Sequence, residues 1–487
     1  MKRARRAKAA PPGDAVRPAP EALPPELLRR TPCLRPEWLP LLLRMREHPD
    51  APCWNHVAGD RLERDDLAAL DRFREALAAR RPARSAGGPT DAILERIESL
   101  RTSVPAFRDR LPPPGELRSR WAGIPTMSRE DVAVRPQTLV PVSADLGRLI
   151  VYRTAGTTGH ALLVPHHPRA AASYQPLLEA ALRRHGVEPS FGPGRVACLL
   201  LGAQRRTVTY PTVLAAWGGA GFAKLNLHPG EWPEPGSPRR YVAAMEPFFL
   251  TGDPISFAEL MRLDVPVRPA ALVSTAVAMS AGLKRRLARR FGCPVIDWYS
   301  LTETGPIGYA CPRGEGFHVL PHDLFVEAID AEGRPVPDGQ RGEIAVTGGR
   351  NPYLPLLRYR TGDWGRLEAA RCPCGDPAVR ILDLEGRKPV LYRTAQGAIV
   401  NPVDLSRALR AFPLVQHAFT QRADLSCELV VRPIPGVPPP APATLANAVR
   451  SLLGGDVSLE VRFDPALGDR TAGGKVEPYR SELLLED

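Results

Sequence analysis

From residue 140 to residue 299 apolar runs of strand length alternate with stretches of helical period. GRVACLLLGA (194–203), AALVSTAVA (270–278) and CPVIDWYS (293–300) are buried-strand runs. Between them Tyr174, Leu177, Leu178, Ala181 and Leu182 fall on one helical stripe, and Ser280 stands where it can cap a helix carrying Leu283 and Leu287. Such alternation predicts an α/β fold, a largely parallel sheet flanked by helices, with ligands bound beyond the carboxyl ends of the strands. Ahead of it, from Pro25 to about Leu111, the pattern is helical (Leu41, Leu42, Leu43, then Leu67, Leu70, Phe73) and reads as support. Residues 317–386 are β-rich, with GRP and DGQRG as turns. Beyond Pro389 a small α+β unit is expected: a hairpin around Gly397, a helix from Pro402 to Ala411, strands near Glu428–Arg432 and Val457–Phe463, and a Pro-rich connector at 433–442. Residues 1–24, rich in Arg, Ala and Pro, lack the apolar content to order themselves and read as a tail.

Composition narrows the class. A chain that is 44% hydrophobic and 24% charged is ordinary for a globular protein. Its longest apolar run, near Val196–Leu201, is far too short to span a bilayer, and the basic tip Met1–Lys8 is followed by no apolar signal core, so no membrane association and a cytoplasmic location are expected. The net charge of +12 raises a nucleic-acid reading, but the arginines are scattered. Only the first eight residues and Lys284, Arg285, Arg286, Arg289 and Arg290 form patches, and no recognition module accompanies them. Solvated faces on an arginine-rich chain are the expected explanation, with anionic small molecules as the partners the charge would favour.

The candidate chemistry starts at Val151–Pro165, VYRTAGTTGHALLVP, where a strand-like run opens into a small, hydroxyl-rich loop. Gly156 and Gly159 allow close backbone approach, and Thr154, Thr157 and Thr158 offer hydroxyl donors, which suits polyphosphate. It is not a Walker loop, because no Gly-Lys-Ser/Thr closes it, nor a dinucleotide fingerprint. Taken alone it would better be read as a polar hairpin turn between Val151 and Leu163. The ordered companions YSLTE (299–303), RYRTGD (358–363), EGR (385–387) and GGK (473–475) change that weighing.

With these motifs the chain, from about Gly123 (GIPTMSREDV) to its end, resembles the adenylate-forming superfamily, the acyl-CoA synthetase and AMP-ligase group. The likeness is nearest to phenylacetate-CoA ligase-like and capsule-biosynthesis-type adenylators. The resemblance implies ATP-dependent, AMP-forming activation of a carboxylic acid by a ligase. Its expected layout is a large N-terminal domain (25–386), comprising a helical lead-in (25–111), a nucleotide core (112–316) and a β-rich part (317–386), then a hinge (387–389) and a small C-terminal domain (390–487). Thr154, Gly156, Thr157, Thr158 and Gly159 would hold the β and γ phosphates, Thr302 would touch the α-phosphate, and Glu303 would hold Mg²⁺, a hard cation that prefers carboxylate oxygen. Tyr299 would stack on adenine opposite Ser274, Thr275 and Ala276, which stand where the family has Gly-Ala-Glu or Gly-Gly-Glu. Asp363, with two acceptor oxygens, would take both ribose hydroxyls, and Arg387 would add a ribose or phosphate contact. Lys475, in AGGKVEP, matches the lysine that neutralises the transition state. The plain alternatives are a surface acid for Glu303, a turn residue for Asp363 and a solvated loop for Lys475.

Cys311, His318, Cys372 and Cys374 offer three thiols and an imidazole, a set suited to structural Zn²⁺ in a reducing compartment and similar to a cluster in the resembled group. The alternative is four unrelated loop residues. His160, His166 and His167 follow the cradle and are not assigned acid–base roles; a phosphate-side contact is an option for His160. An acyl pocket is expected around Gln204–Tyr210 and Trp217, where Tyr210 and Trp217 would favour a flat aromatic acid. At the hinge the family's Asp or Lys is replaced by Pro389, and residues 393–402 depart from its pantetheine-tunnel loop. Proline fixes φ near about −65°, so transfer to an amine or a carrier protein rather than coenzyme A is a second reading. A non-catalytic binding or regulatory homologue is a third.

Overall fold

The computed structural model describes residues 25–79, 88–154, 162–276, 279, 281–314, 316–320, 322–385, 390–409, 411–433, 438–467 and 477–483. The expected tail, the loop glycines and threonines 156–159, His160, Ser280, Arg387, Pro389 and Lys475 lie outside these residues.

Strands β1 (Ile150–Arg153) and β2 (Leu163–His166) form an antiparallel pair. A twelve-stranded sheet follows, built from β3 (Val196–Gly202), β4 (Tyr210–Leu214), β5 (Ala220–Asn226), β6 (Phe249–Gly252), β7 (Ala271–Ser274), β8 (Val295–Leu301), β9 (Gly305–Ala310), β10 (Phe317–Val319), β11 (Leu324–Ile329), β12 (Arg341–Gly348), β13 (Leu356–Glu368) and β14 (Arg380–Glu385). Its order is β11-β12-β13-β14-β10-β9-β8-β7-β6-β3-β5-β4. The α/β class expected from the alternation is what the chain adopts. Within this sheet only β5, β3, β6, β7 and β8 run parallel, however; from β8 to β14 every pairing is antiparallel. The cause is connection length. Helices link β5 to β6, β6 to β7 and β7 to β8, whereas β8 and β9 are joined by Thr302, Glu303 and Thr304 alone, and three residues permit only an antiparallel return.

The parallel strands are buried on both faces. The helix Pro254–Arg262 begins at Asp253, whose carboxylate accepts from the Ser256 amide at 2.7 Å, with proline at its first position. It lays Phe257 and Leu260 onto the same core as Leu199, Leu250 and Leu272. The helix Tyr174–Arg184 buries Leu177, Ala181 and Leu182, the stripe read from the sequence. The helical lead-in packs Leu41, Leu42 and Met45 into the core, while Leu43 points outward.

The C-terminal unit adds a hairpin, β15 (Tyr392–Arg393) with β16 (Ile399–Val400), and a four-stranded sheet ordered β19-β18-β17-β20. Its strands are β17 (Leu414–Gln421), β18 (Cys427–Pro433), β19 (Leu459–Phe463) and β20 (Tyr479–Ser481). Helices Pro402–Leu409 and Pro442–Leu453 share a core with it through Leu405, Leu409, Leu445 and Val449. The unit docks on the loop after β3. The Asp404 carboxylate accepts from the Arg205 amide at 2.8 Å, the Asn401 amide donates to the Ala203 carbonyl at 3.3 Å, and Leu391 and Ile399 pack on Ala203 and Ile255.

Candidate active site and metal cluster

The turn at which the parallel sheet becomes antiparallel carries Thr302 and Glu303. Two tyrosines tie its surroundings to β13. Tyr299, at the end of β8, is 8% exposed and donates its phenol hydrogen to Asp363 Oδ2 at 2.9 Å. Burial first, and the Asp363 charge second, hold the Tyr299 phenol well above its usual pKa, so the proton stays on the tyrosine. Tyr359, four residues before Asp363, donates to Glu303 Oε1 at 3.0 Å, and Arg129 Nη1 stands 3.7 Å from the same oxygen. Arg129 is held there by a capping box, in which the Ser128 amide donates to Asp131 at 2.7 Å.

A bulge aims Asp363. Arg360 pairs with Ala345 and Trp364 with Glu343, so three residues of β13 stand against one of β12. Gly362 sits there at φ +81°, a conformation that favours glycine, and its amide donates to Glu343 at 3.0 Å. The Asp363 amide donates to Thr361 Oγ1. The first arginine of the same motif has a different task. Arg358 is fully buried and spends its guanidinium on both oxygens of Glu327 (2.9 and 3.1 Å) and on the carbonyls of Ala122, Ile124 and Gly333. It holds the segment before Arg129 against β13.

Thr154 closes the β1–β2 hairpin: its amide donates to the Leu162 carbonyl and its hydroxyl accepts from the Leu162 amide, both at 3.0 Å. The rest of the cradle lies outside the described residues. Ser274 is the last residue of β7 and buried, with its hydroxyl unpartnered among the described residues. Thr275 and Ala276 continue past the strand end to border a cavity, Ala276 at φ +75°.

That cavity, about 520 Å³, reaches from the Thr302 turn to the lead-in. Its wall is ring-rich: Tyr152, Tyr174, Tyr210, Trp217, Phe222 and Trp298. The indole N–H of Trp217 is committed to Glu179 at 2.8 Å, and Arg74 in turn holds Glu179 at 3.2 Å, leaving the ring as the surface offered. Tyr210 and Trp217 were expected here. Gln204 does not reach the wall; it is pinned by its backbone to the Asn226 side chain. Gly59 and Asp60, from the section read as mere support, do line the cavity. The Asp60 carboxylate accepts from the Ala215 and Leu62 amides, and burial pushes its pKa up to about 6. The sequence reading also passed over Tyr359, Arg129 and His166. Tyr359 lies inside RYRTGD and Arg129 inside GIPTMSREDV, so the motifs contained the signal; His166 carried none beyond its proximity to the cradle.

Cys311, His318, Cys372 and Cys374 converge so that one donor atom of each lies within 4.8 Å of the others. Cys311 and Cys372 sulfurs are 3.5 Å apart, and Cys374 sulfur is 3.2 Å from His318 Nε2. In a tetrahedral zinc site with bonds of about 2.0–2.3 Å, donors stand roughly 3.3–3.8 Å from one another, so these residues fit that ion. The Asp376 amide donates to Cys374 sulfur, and Asp376 also accepts from the Tyr309 phenol and faces Arg184. Phe317, beside His318, packs against Tyr299 with ring centres 6.0 Å apart, which links the cluster to the site.

Residues 122–351 match the AMP-binding enzyme family. The phenylacetate-coenzyme A ligase of Thermus thermophilus is 29% identical over 137 residues, covering 27% of this chain and 31% of that protein. The one from Pseudomonas putida is 36% identical over 89 residues, covering 18% and 20%. The aligned stretches thus span a third or less of these relatives' own length. A 2-hydroxyisobutyryl-CoA ligase structure, in complex with 2-HIB-AMP and CoA, superposes with a TM-score of 0.51 at 18% identity, covering 82% of this chain and 91% of that one, which shows a shared fold. Residues 122–351, the segment that contains YSLTE, thus match the AMP-binding enzymes, and the ordered motifs, the ligase relatives and the shared fold support the adenylate-forming superfamily for this chain.

Proposed function

We propose that this protein is an acid ligase that uses ATP to convert a carboxylic acid, aromatic in character, to its acyl-adenylate. The observation that carries the reading is that the turn bearing Thr302 and Glu303 borders a ring-lined cavity while its flanking tyrosines fix Asp363 and Glu303. In this scheme a substrate carboxylate oxygen attacks the α-phosphorus, the new P–O bond forms as the bond to pyrophosphate breaks, and pyrophosphate departs. Tyr299 presents its ring to adenine, Asp363 accepts from the ribose hydroxyls, Thr302 donates to the α-phosphate, and the Thr154–Gly159 loop holds the outer phosphates. Lys475 and Arg387 are assigned by their motifs, as cation over the developing charge and as ribose or phosphate contact.

Glu303 fits a role as magnesium ligand: it is buried within the turn, and Tyr359 and Arg129 both approach it at Oε1. A bound magnesium ion would neutralise phosphate charge. Zinc in the Cys311, His318, Cys372, Cys374 cluster is assigned a structural part, clamping β9 and β10 to the loop before β14. The acceptor of the first reading is coenzyme A, as in the names of the ligase relatives. Pro389 favours a second reading, transfer to an amine or carrier protein, since a hinge must absorb a large backbone change that proline resists. Hydroxamate trapping over a panel of aryl and alkyl acids, run beside acyl-CoA detection, tests both. Trapping with aryl acids supports activation; no trapping with any acid contradicts it. Fast acyl-CoA formation by the wild type removes the second reading.

A further inference from the structure

The floor of the cavity is one face of the large sheet. On β3, β4 and β6 it is bordered by residues two apart, Cys198 and Leu200, Tyr210 and Thr212, Phe249 and Thr251, and residues two apart on a strand share a face. Register makes the floor continuous. Thr212 stands opposite Phe222 on β5, Phe222 opposite Cys198, and Cys198 opposite Phe249, a row across four strands. Beyond it Thr251 stands opposite Val273 on β7, and Trp298 on β8 borders the cavity near the Thr302 turn. Six strands, from β8 to β4, thus lie under one cavity, and at about 4.8 Å per spacing they span about 24 Å.

Burial agrees with this placement. Strands β3 and β6 are interior to the sheet and buried at every position except Leu200 and Thr251. Both of these border the cavity, so the break in an otherwise buried sheet is the cavity itself. Its far end lies by β4, where Asp60 accepts from the Ala215 amide. No lysine or arginine borders the cavity among the described residues. With the reacting carboxylate at the Thr302 turn, a benzoate or phenylacetate ring reaches only part of the way and leaves the floor on β5 and β4 unfilled. Apolar surface removed from water contributes in proportion to its area, so a longer apolar tail gains what the short ring forgoes.

We propose that the acid taken by this cavity is a long, uncharged aryl acid, whose second ring or alkyl chain carries it across the sheet face from the Thr302 turn to β4. This rests on the proposed function and specifies its substrate class by length.

The test follows tryptophan fluorescence, for which Trp217 and Trp298 in the cavity wall are probes, beside acid-dependent pyrophosphate exchange. The ligands are benzoate, its para-butyl, para-octyl and para-dodecyl derivatives, biphenyl carboxylate, and the phenylalkanoates from phenylacetate to phenyldodecanoate. Affinity should rise about threefold for each added methylene, then fall once the chain outgrows the span. Thr212→Phe, which fills the floor at β4, should move the optimum to a shorter acid, and Thr251→Phe, nearer the Thr302 turn, should move it further. Thermal unfolding establishes that each variant folds, and the wild-type series decides without them. Benzoate or phenylacetate binding as tightly as every longer acid, a rise with no optimum, an unmoved optimum in both folded variants, or no binding of any member would each overturn the proposal. Exchange driven by benzoate or phenylacetate with the longer acids inert would overturn it and leave ATP-dependent activation standing. Tight binding of a long acid without exchange from any acid would support it and contradict activation.

Discussion

The phenol of Tyr299 donates to Asp363 across 2.9 Å, joining the last parallel strand to the bulge in β13. Asp363, the acid proposed to take the ribose hydroxyls, is thereby held at one of its oxygens. Asp363→Ala should raise the KM for ATP by roughly 10- to 100-fold, the worth of one charge-assisted hydrogen bond. Tyr299→Phe, which keeps the ring and loosens only the acid, should cost less than about tenfold on the same scale. Pyrophosphate exchange at varied ATP reads both. An unchanged KM in Asp363→Ala would reduce the residue to a structural one.

The cysteine and histidine cluster should hold close to one zinc per chain, and Cys374→Ser should release it and lower stability, because metal binding to a preformed site is folding free energy. Metal analysis with thermal unfolding decides. Full zinc retention in the Ser variant would remove Cys374 from the set.

Arg358→Met leaves the Glu327 carboxylate buried without its main partner and should destabilise the protein by about 3–5 kcal/mol. Adding Glu327→Gln removes the stranded charge and should recover part of that loss. Urea unfolding of the two variants measures it; a single variant as stable as wild type would mean the pair holds nothing.

His166 gives stability a pH dependence of known sign. Its folded pKa, about 4, lies below its ordinary value of 6.5, so between these values the unfolded chain binds the extra proton. Stability from this group is complete above pH 6.5 and falls as pH drops toward 4, by about 2 kcal/mol at pH 5. Unfolding at pH 8 and pH 5 should show a smaller loss in His166→Gln than in wild type by that amount. Parallel losses would place the proton elsewhere.

The motifs were legible because chemistry fixes residue types at short spacing: Tyr299 to Glu303 and Arg358 to Asp363 stand together in space as they do in sequence order. The parallel core was legible from its apolar runs. What the runs concealed was direction, since a strand such as β9 looks alike whether it returns at once or after a helix, and here a three-residue turn decides. The bulge at Thr361–Asp363 was hidden because an alternating strand and a bulged one share a composition. Nothing in RYRTGD told that all five donors of Arg358 are spent inside the protein. Strand β17, LVQHAFTQ, mixes polarity too freely to stand out, and β20 is three residues long. Cys311 and Cys372, sixty-one positions apart, were read as one set from residue type, and the antiparallel returns of β9, β10, β13 and β14 are what bring them together.

Acid-dependent exchange of labelled pyrophosphate into ATP measures the first chemical step without regard to the acceptor. The account predicts exchange that requires both magnesium and an aryl acid. In Lys475→Ala it should fall at least about a hundredfold, as loss of one preorganised electrostatic donor costs about 2.7–4 kcal/mol, with ATP binding nearly unchanged. Protein that binds ATP yet shows no exchange with any acid would contradict the account.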